Sequence, residues 1–143
     1  MSKSNALENS ILLLLFNGTT IADLAENDTS SPLTVLYVSL HTADPGEAGT
    51  QLTNECTYGS YARVAVNRNS GGWSVTNNSV SPVASISFPQ AASGTETATH
   101  AAIGTTTTGN AGVILYSGTL SPNISITTGV TPIITTSTTI TED

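Results

Sequence analysis

The stretch LTVLYVSLHTADPGEAGT, residues 33–50, changes character halfway along. Leu36, Val38 and Leu40 alternate with Val35, Tyr37 and Ser39, the period of two that marks a strand with one buried side. His41 ends that run. Pro45 then presets φ for the second position of a turn, and Gly46 supplies a positive φ at the third, the type II pattern. Thr42 and Asp44 are spaced to hydrogen-bond the nearby backbone. The expectation is a strand followed by a structural corner.

The same period recurs downstream. In SYARVAVNR, residues 60–68, Val64 and Val66 take one side and Tyr61, Arg63 and Ala65 the other. WSVTNNSV, VASISFP, TATHAAIG, AGVILYSG, NISITTG and TPIITTSTTIT follow, each set off from the next by Gly, Pro or Asn. That gives roughly eight short strands at the spacing expected of a sandwich or barrel. Thr and Val fill them because β-branched side chains suit a pleated surface. Long helical patterns between strands are missing, so the sheets should be antiparallel.

Upstream of residue 33 the period is helical. Asn5 and Glu8 have capping-box spacing. Leu7, Ile11, Leu14 and Leu15 share one face, Leu12, Leu13 and Phe16 widen it, and Gly18 stands where a C-terminal cap belongs. Such a helix is apolar on more than one side and is buried on more than one side, in its own domain or against another chain. A second short helix is expected over residues 21–26, with a turn-forming link over 27–32. The reading is therefore mainly β: an antiparallel, jelly-roll-like β-sandwich over residues 33–143, preceded by an N-terminal helical arm and linker over 1–32.

Composition narrows the function. The chain has 143 residues, a length suited to one domain. Charged residues make up 9%, against about a quarter in ordinary soluble domains. Net charge is −7, with Lys3, Arg63 and Arg68 the only cations. No basic stripe exists to displace phosphate counterions, so neither nucleic acid nor an anionic membrane surface is an expected partner. Cys56 is the only cysteine, which excludes an intrachain disulfide and suits folding in a reducing cytoplasm. The apolar run of residues 11–16 is too short to span a bilayer, and no targeting segment is read.

Searches for chemistry return little. Nucleophile-elbow, phosphate-loop, H-E-x-x-H and dinucleotide motifs are missing. His41, Asp44, Glu47 and Glu55 cluster in sequence, but their spacing fits no zinc or EF-hand pattern. No metal or cofactor is expected, and no enzymatic role. His41 and His100 are candidates for pairing across a sheet as a pH switch, though a satisfied, half-buried histidine is the commoner case. Asp44, Glu47 and Glu55 precede Arg63 and Arg68 and are placed to close the loop onto that strand; alternatively, an arginine reaches a partner. Trp73 reads as core, while an exposed Trp73 with Tyr61 would offer a sugar-stacking surface.

Taken together, LYVSLHTADPGEAGT, ECTYGSYARVAV, SISFPQAASG, THAAIGT, GVILYSGTL and a close on TTITED resemble a family of small tailed-bacteriophage virion proteins. Leu36, Tyr37, Leu40, His41, Thr42, Asp44, Pro45, Gly46 and Gly49 match its first element. Tyr61 and Arg63, Phe88 and Pro89, Thr99, His100, Ile103 and Gly104, then Leu115, Tyr116 and Gly118 match the later ones. The stretch over residues 21–32 is longer than the link usual in that family. The resemblance implies a virion structural protein, with both head decoration and tail fibre among the family's labels, and it carries no enzymatic activity.

The first expectation is a capsid decoration, or cement, protein on the capsid exterior. It would bind the major capsid protein, and itself as a dimer or trimer. Leu7, Ile11, Leu14, Leu15 and Phe16 are the expected docking residues, with Asp44, Glu47 and Arg63 as further contacts. A tail, tail-fibre or adaptor component is the alternative, and a carbohydrate-binding sandwich the second.

Overall fold

A computed structural model describes residues 4–21 and 32–142. The chain is mainly β, with antiparallel pairing and one N-terminal helix. The helix is α1, Asn5–Asn17. Among the described residues nine strands follow: β1 Val35–His41, β2 Val64–Asn67, β3 Trp73–Thr76, β4 Ser79–Pro82, β5 Ile86–Ser87, β6 Thr95–Gly104, β7 Ile114–Thr127, β8 Ile133–Ile134 and β9 Ile140–Thr141. They form sheets of order β2-β1-β6-β7, β3-β4-β9 and β5-β8. Contacts divide the chain into two compact units. The first comprises Met1–Val35, Val66–Ile86 and Ile134–Asp143, and the second Leu36–Ala65 and Ser87–Ile133.

In the first unit the local chemistry at both ends of α1 explains its bounds. Ser4 is the N-cap, in extended backbone, and its hydroxyl accepts from the Leu7 amide at 3.4 Å. The cap thus lies one residue before the expected Asn5, and Glu8 is buried. Gly18 closes the other end at φ 66, a left-handed conformation that costs glycine little. Leu12 and Phe16 lie one helical turn apart and are fully buried. Each contributes about 1.5–3 kcal/mol by burial. Phe16 meets Trp73 edge-to-face at 4.9 Å between ring centroids, as α1 packs on β3 and β4.

The last turn of α1 carries no basic residue of its own. Arg68 supplies the charge from β2's far end, donating from Nε to the Leu15 carbonyl at 2.6 Å and from Nη2 to the Leu14 carbonyl. Its Nη1 also donates to the Leu33 carbonyl at 3.1 Å. One guanidinium therefore satisfies orphan helix carbonyls and places positive charge at the negative end of the helix dipole. Burial pulls the Arg68 pKa below its usual value.

WSVTNNSV is a hairpin rather than one strand. Thr76 pairs with Ser79, leaving Asn77 and Asn78 as a two-residue turn, and Asn77 takes the positive φ that tight hairpin turns require. The second short helix expected over residues 21–26 falls, beyond Ile21, outside the described residues.

In the second unit β1 and β6 pair over Tyr37–His41 with Gly104–His100. Leu36, Val38 and Leu40 are buried, as the alternation requires, but Ser39 and His41 on the opposite side are buried as well. AGVILYSG and NISITTG are one strand, β7, rather than two. Its pairing with β6 steps from Ala98–Ile124 to His100–Thr119, so residues 120–123 stand opposite Thr99 alone. Pro122 has no N–H to give a ladder, and the bulge is where it is tolerated.

Candidate functional site

Residues 42–55 leave β1 and return to it. The Thr42 amide donates to the Asn54 carbonyl at 2.8 Å, Glu55 forms a bridge with His41, and the Cys56 amide donates to the Leu40 carbonyl at 2.8 Å. With its ends so close, the excursion is an Ω-type loop. Within it Asp44 and Gly46 keep the expected side-chain bond and positive φ, but the hydrogen-bonded turn lies further on than expected, closed by the Gly49 amide donating to the Gly46 carbonyl at 3.1 Å. Asp44 Oδ1 accepts from the Gly46 amide at 2.9 Å, and Gly46 has φ 72. Asp44 and Glu47 are exposed.

The loop covers the polar side of β1. Gln51 is fully buried there. Its Nε2 donates to the Tyr37 carbonyl at 3.2 Å, and its Oε1 accepts from the Thr106 amide at 3.3 Å. The space exists because residue 104 is glycine: a Cβ there would lie 2.2 Å from the Gln51 carboxamide carbon. His41, also fully buried, has Nδ1 at 2.9 Å from the Thr53 carbonyl and Nε2 at 2.9 Å from the Ser39 hydroxyl. A carbonyl only accepts, so Nδ1 carries the proton and Nε2 accepts from Ser39. Burial lowers the His41 pKa from its ordinary 6.5, more than the Thr53 carbonyl raises it. His100 is the register partner of His41, and its own ring nitrogens face the Thr99 and Thr119 hydroxyls.

Glu55 and Arg63 form the centre of the site. Arg63 Nε and Nη2 donate to the two Glu55 oxygens at 2.7 and 2.8 Å, a bidentate pair whose side chains are 2% and 8% exposed for Arg63 and Glu55. Desolvating such a pair is costly, and the remaining guanidinium hydrogens need partners. Arg63 finds them in the Thr106 and Gly109 carbonyls, at 3.0 and 2.9 Å. The Tyr61 hydroxyl donates to Glu55 Oε1 at 2.9 Å and accepts from the Leu40 amide at 3.0 Å. Burial, chiefly, pushes its pKa up. One ion pair thereby ties β1, the Ω-loop and the 105–112 loop together.

Of the three acidic residues expected to close the loop, only Glu55 reaches Arg63; the Asp44 carboxylate is used by its own turn. Arg63 is engaged inside the fold and is not a free partner contact. Among the proposed docking residues, Leu7 is 37% exposed, and Ile11, Leu14 and Leu15 are half-buried. Phe16 is corrected from docking surface to core, because Trp73 already covers it. Gln51 was not legible, since its partners lie far away in sequence and its type carries no motif.

The sugar-stacking reading is overturned. Trp73 is 2% exposed, and Tyr61 lies parallel to Phe88 at 6.3 Å with its hydroxyl committed to Glu55. Cys56 is buried, and burial, with Glu96 adding to it, pushes its thiol up to about 12, far from a reactive thiolate. Among the described residues, no group of three or more His, Cys, Asp or Glu side chains is placed to hold a metal ion, and no helix is long and apolar enough to cross a membrane. What the arrangement does chemically is cross-link loops.

No curated protein matches this chain. A family model described as "Podophage GP4 fiber I protein gp80" matches residues 2–141, nearly the full length, and the chain therefore belongs to that family of phage virion proteins.

Proposed function

We propose that this chain is a structural component of a phage fibre, working by adhesion and without catalysis. The observation that carries the reading is the way its chemistry is spent. His41, Glu55, Tyr61 and Arg63, the side chains best equipped to act on a ligand, hold one another and the backbone. The fibre description of the matched family supports fibre over head. The low charge and Ser/Thr-rich surface suit a building block covered by neighbours.

Capsid decoration, with the major capsid protein as partner, is the second reading, supported by the likeness of the motif series to head decoration proteins. Gold-conjugated antibody against the chain, applied to purified particles and viewed by electron microscopy, separates the two. Label on fibres or tail is the expected result. Label spread over the head would sink the fibre reading in favour of the cement role.

A further inference from the structure

We propose that the Ser39 hydroxyl attacks the Gln51 carboxamide to form an intramolecular ester, with loss of ammonia, so that the Ω-loop becomes covalently tied to β1. This goes beyond the fibre reading and does not rest on it. The reaction happens once in each chain, with no turnover and no outside substrate.

The parts of an acyl transfer stand together here. Ser39, His41 and Gln51 are each fully buried, and all three belong to the second unit. His41 Nε2 accepts from the Ser39 hydroxyl at 2.9 Å, while the Thr53 carbonyl holds the Nδ1 proton at 2.9 Å. A base on the hydroxyl and a third group fixing the tautomer of that base are what make a serine nucleophilic. Burial favours the neutral ring, so Nε2 is open to take a proton. The Ala102 carbonyl also lies near the hydroxyl, at 3.4 Å, but His41 is the closer acceptor. Gln51 presents the electrophile. Its Nε2 approaches the same Ser39 oxygen at 3.5 Å, which leaves the carboxamide carbon one covalent bond from that contact. Its Oε1 accepts from the Thr106 amide at 3.3 Å, the kind of donor that stabilises an oxyanion. The Tyr37 carbonyl and the bare backbone of Gly104 hold the group in place.

The step balances without an oxidant, a metal or a cofactor. Ser39 Oγ bonds Gln51 Cδ as the hydroxyl proton passes to His41 Nε2, and the charge that develops on Oε1 meets the Thr106 amide. His41 then gives the proton to Gln51 Nε2, the Cδ–Nε2 bond breaks, and ammonia leaves. An ordinary amide resists a hydroxyl, but groups fixed side by side gain an effective concentration of up to about 10⁵–10⁸ M. Once formed, an ester enclosed in this way meets little water to hydrolyse it. A loop so tied cannot peel away from β1.

Electrospray mass measurement of the full chain, folded and then denatured, tests this. The expected mass is about 17 Da below that of the sequence, the ammonia lost in the acyl transfer. A glutamate-specific protease cuts after Glu26, Glu47 and Glu55, and Glu47 lies between Ser39 and Gln51. Fragments 27–47 and 48–55 should therefore emerge joined, and hydroxylamine, which cleaves esters, should part them. Ser39→Ala should restore the full sequence mass, which it would not do for a succinimide formed at an asparagine. His41→Gln, shown to be folded by far-UV circular dichroism, should slow the mass loss at least about tenfold. If that variant unfolds, the pH profile of mass loss in freshly synthesised parent chain decides. A rate that rises with pH and levels as His41 becomes neutral supports the base; a rate that is flat or falls from about pH 4 to about pH 7.5 overturns its role. A folded parent chain of full sequence mass, with the two fragments separate, overturns the ester, as does a mass loss that survives Ser39→Ala. A folded His41→Gln chain that reacts as fast as the parent overturns the part given to His41. None of these results bears on where gold label falls on the particle.

Discussion

The two compact units are held together differently. The first is an apolar assembly, in which Leu12 and Phe16 meet Trp73 and one arginine closes the helix end. The second also has an apolar core, but its shape is fixed by buried polar cross-links that bind a 14-residue loop and the 105–112 loop to β1. Apolar contact is undirected and forgives changes that keep volume. A buried ion pair with committed hydrogen bonds does not, because what remains after a deletion is an uncompensated charge.

Arg63→Met should therefore be the most damaging single change, costing about 3–5 kcal/mol in urea unfolding. The second replacement, Glu55→Leu on top of Arg63→Met, should recover part of that loss, since removing both charges removes the desolvation penalty. If the double variant is the worse of the two, the contrast between the units fails. Gly104→Ala should cost about 1–3 kcal/mol, because the added methyl displaces a Gln51 carboxamide that has nowhere else to bond. In the first unit, Leu12→Met, which keeps the volume of a fully buried side chain, should cost less than about 1.5 kcal/mol, a smaller loss than Gly104→Ala. Thermal melts of these two variants side by side are the sharpest form of the comparison.

The smallest effect is a pH dependence. His41 is held neutral, with its pKa below 6.5, so the unfolded chain takes up a proton first as the pH falls. The His41 contribution is complete above pH 6.5 and is lost progressively below it. His41→Gln should lower stability at neutral pH and narrow its gap to the parent chain as the medium becomes acidic. A gap that stays constant from pH 7.5 to about pH 5 would mean that His41 does not titrate differently in the two states.

Much of this was legible locally. The alternation of Leu36, Val38 and Leu40 placed β1 and its buried side, and Gly18 and Gly46 marked their turns through the backbone conformations they permit. Errors came where two signals competed. Ser4 and Asn5 are both good caps, and the helix takes the earlier one. Asn77-Asn78 was read through as strand although it is a turn. Gly118 and Pro122 looked like breaks, but a sheet can absorb them in a bulge when the neighbouring strand is long. That the chain belongs among phage virion proteins was legible as a resemblance, though not the network of buried side chains. Glu55 was one of three candidates for Arg63, and only the closed loop separates it from Asp44 and Glu47. Gln51 had no signal at all, for a buried amide is defined by distant carbonyls and a distant glycine.

The capping of α1 by Arg68 bears on the order of synthesis. A thirteen-residue helix is marginal in water by itself. Its closing guanidinium and its aromatic partner, Trp73, are translated more than fifty residues after it. β9, which completes the β3-β4-β9 sheet, follows later still. The unit that holds α1 is thus one that nascent polypeptide cannot finish early, and Leu12 and Phe16 lack their covering strands until β3 and β4 have left the ribosome.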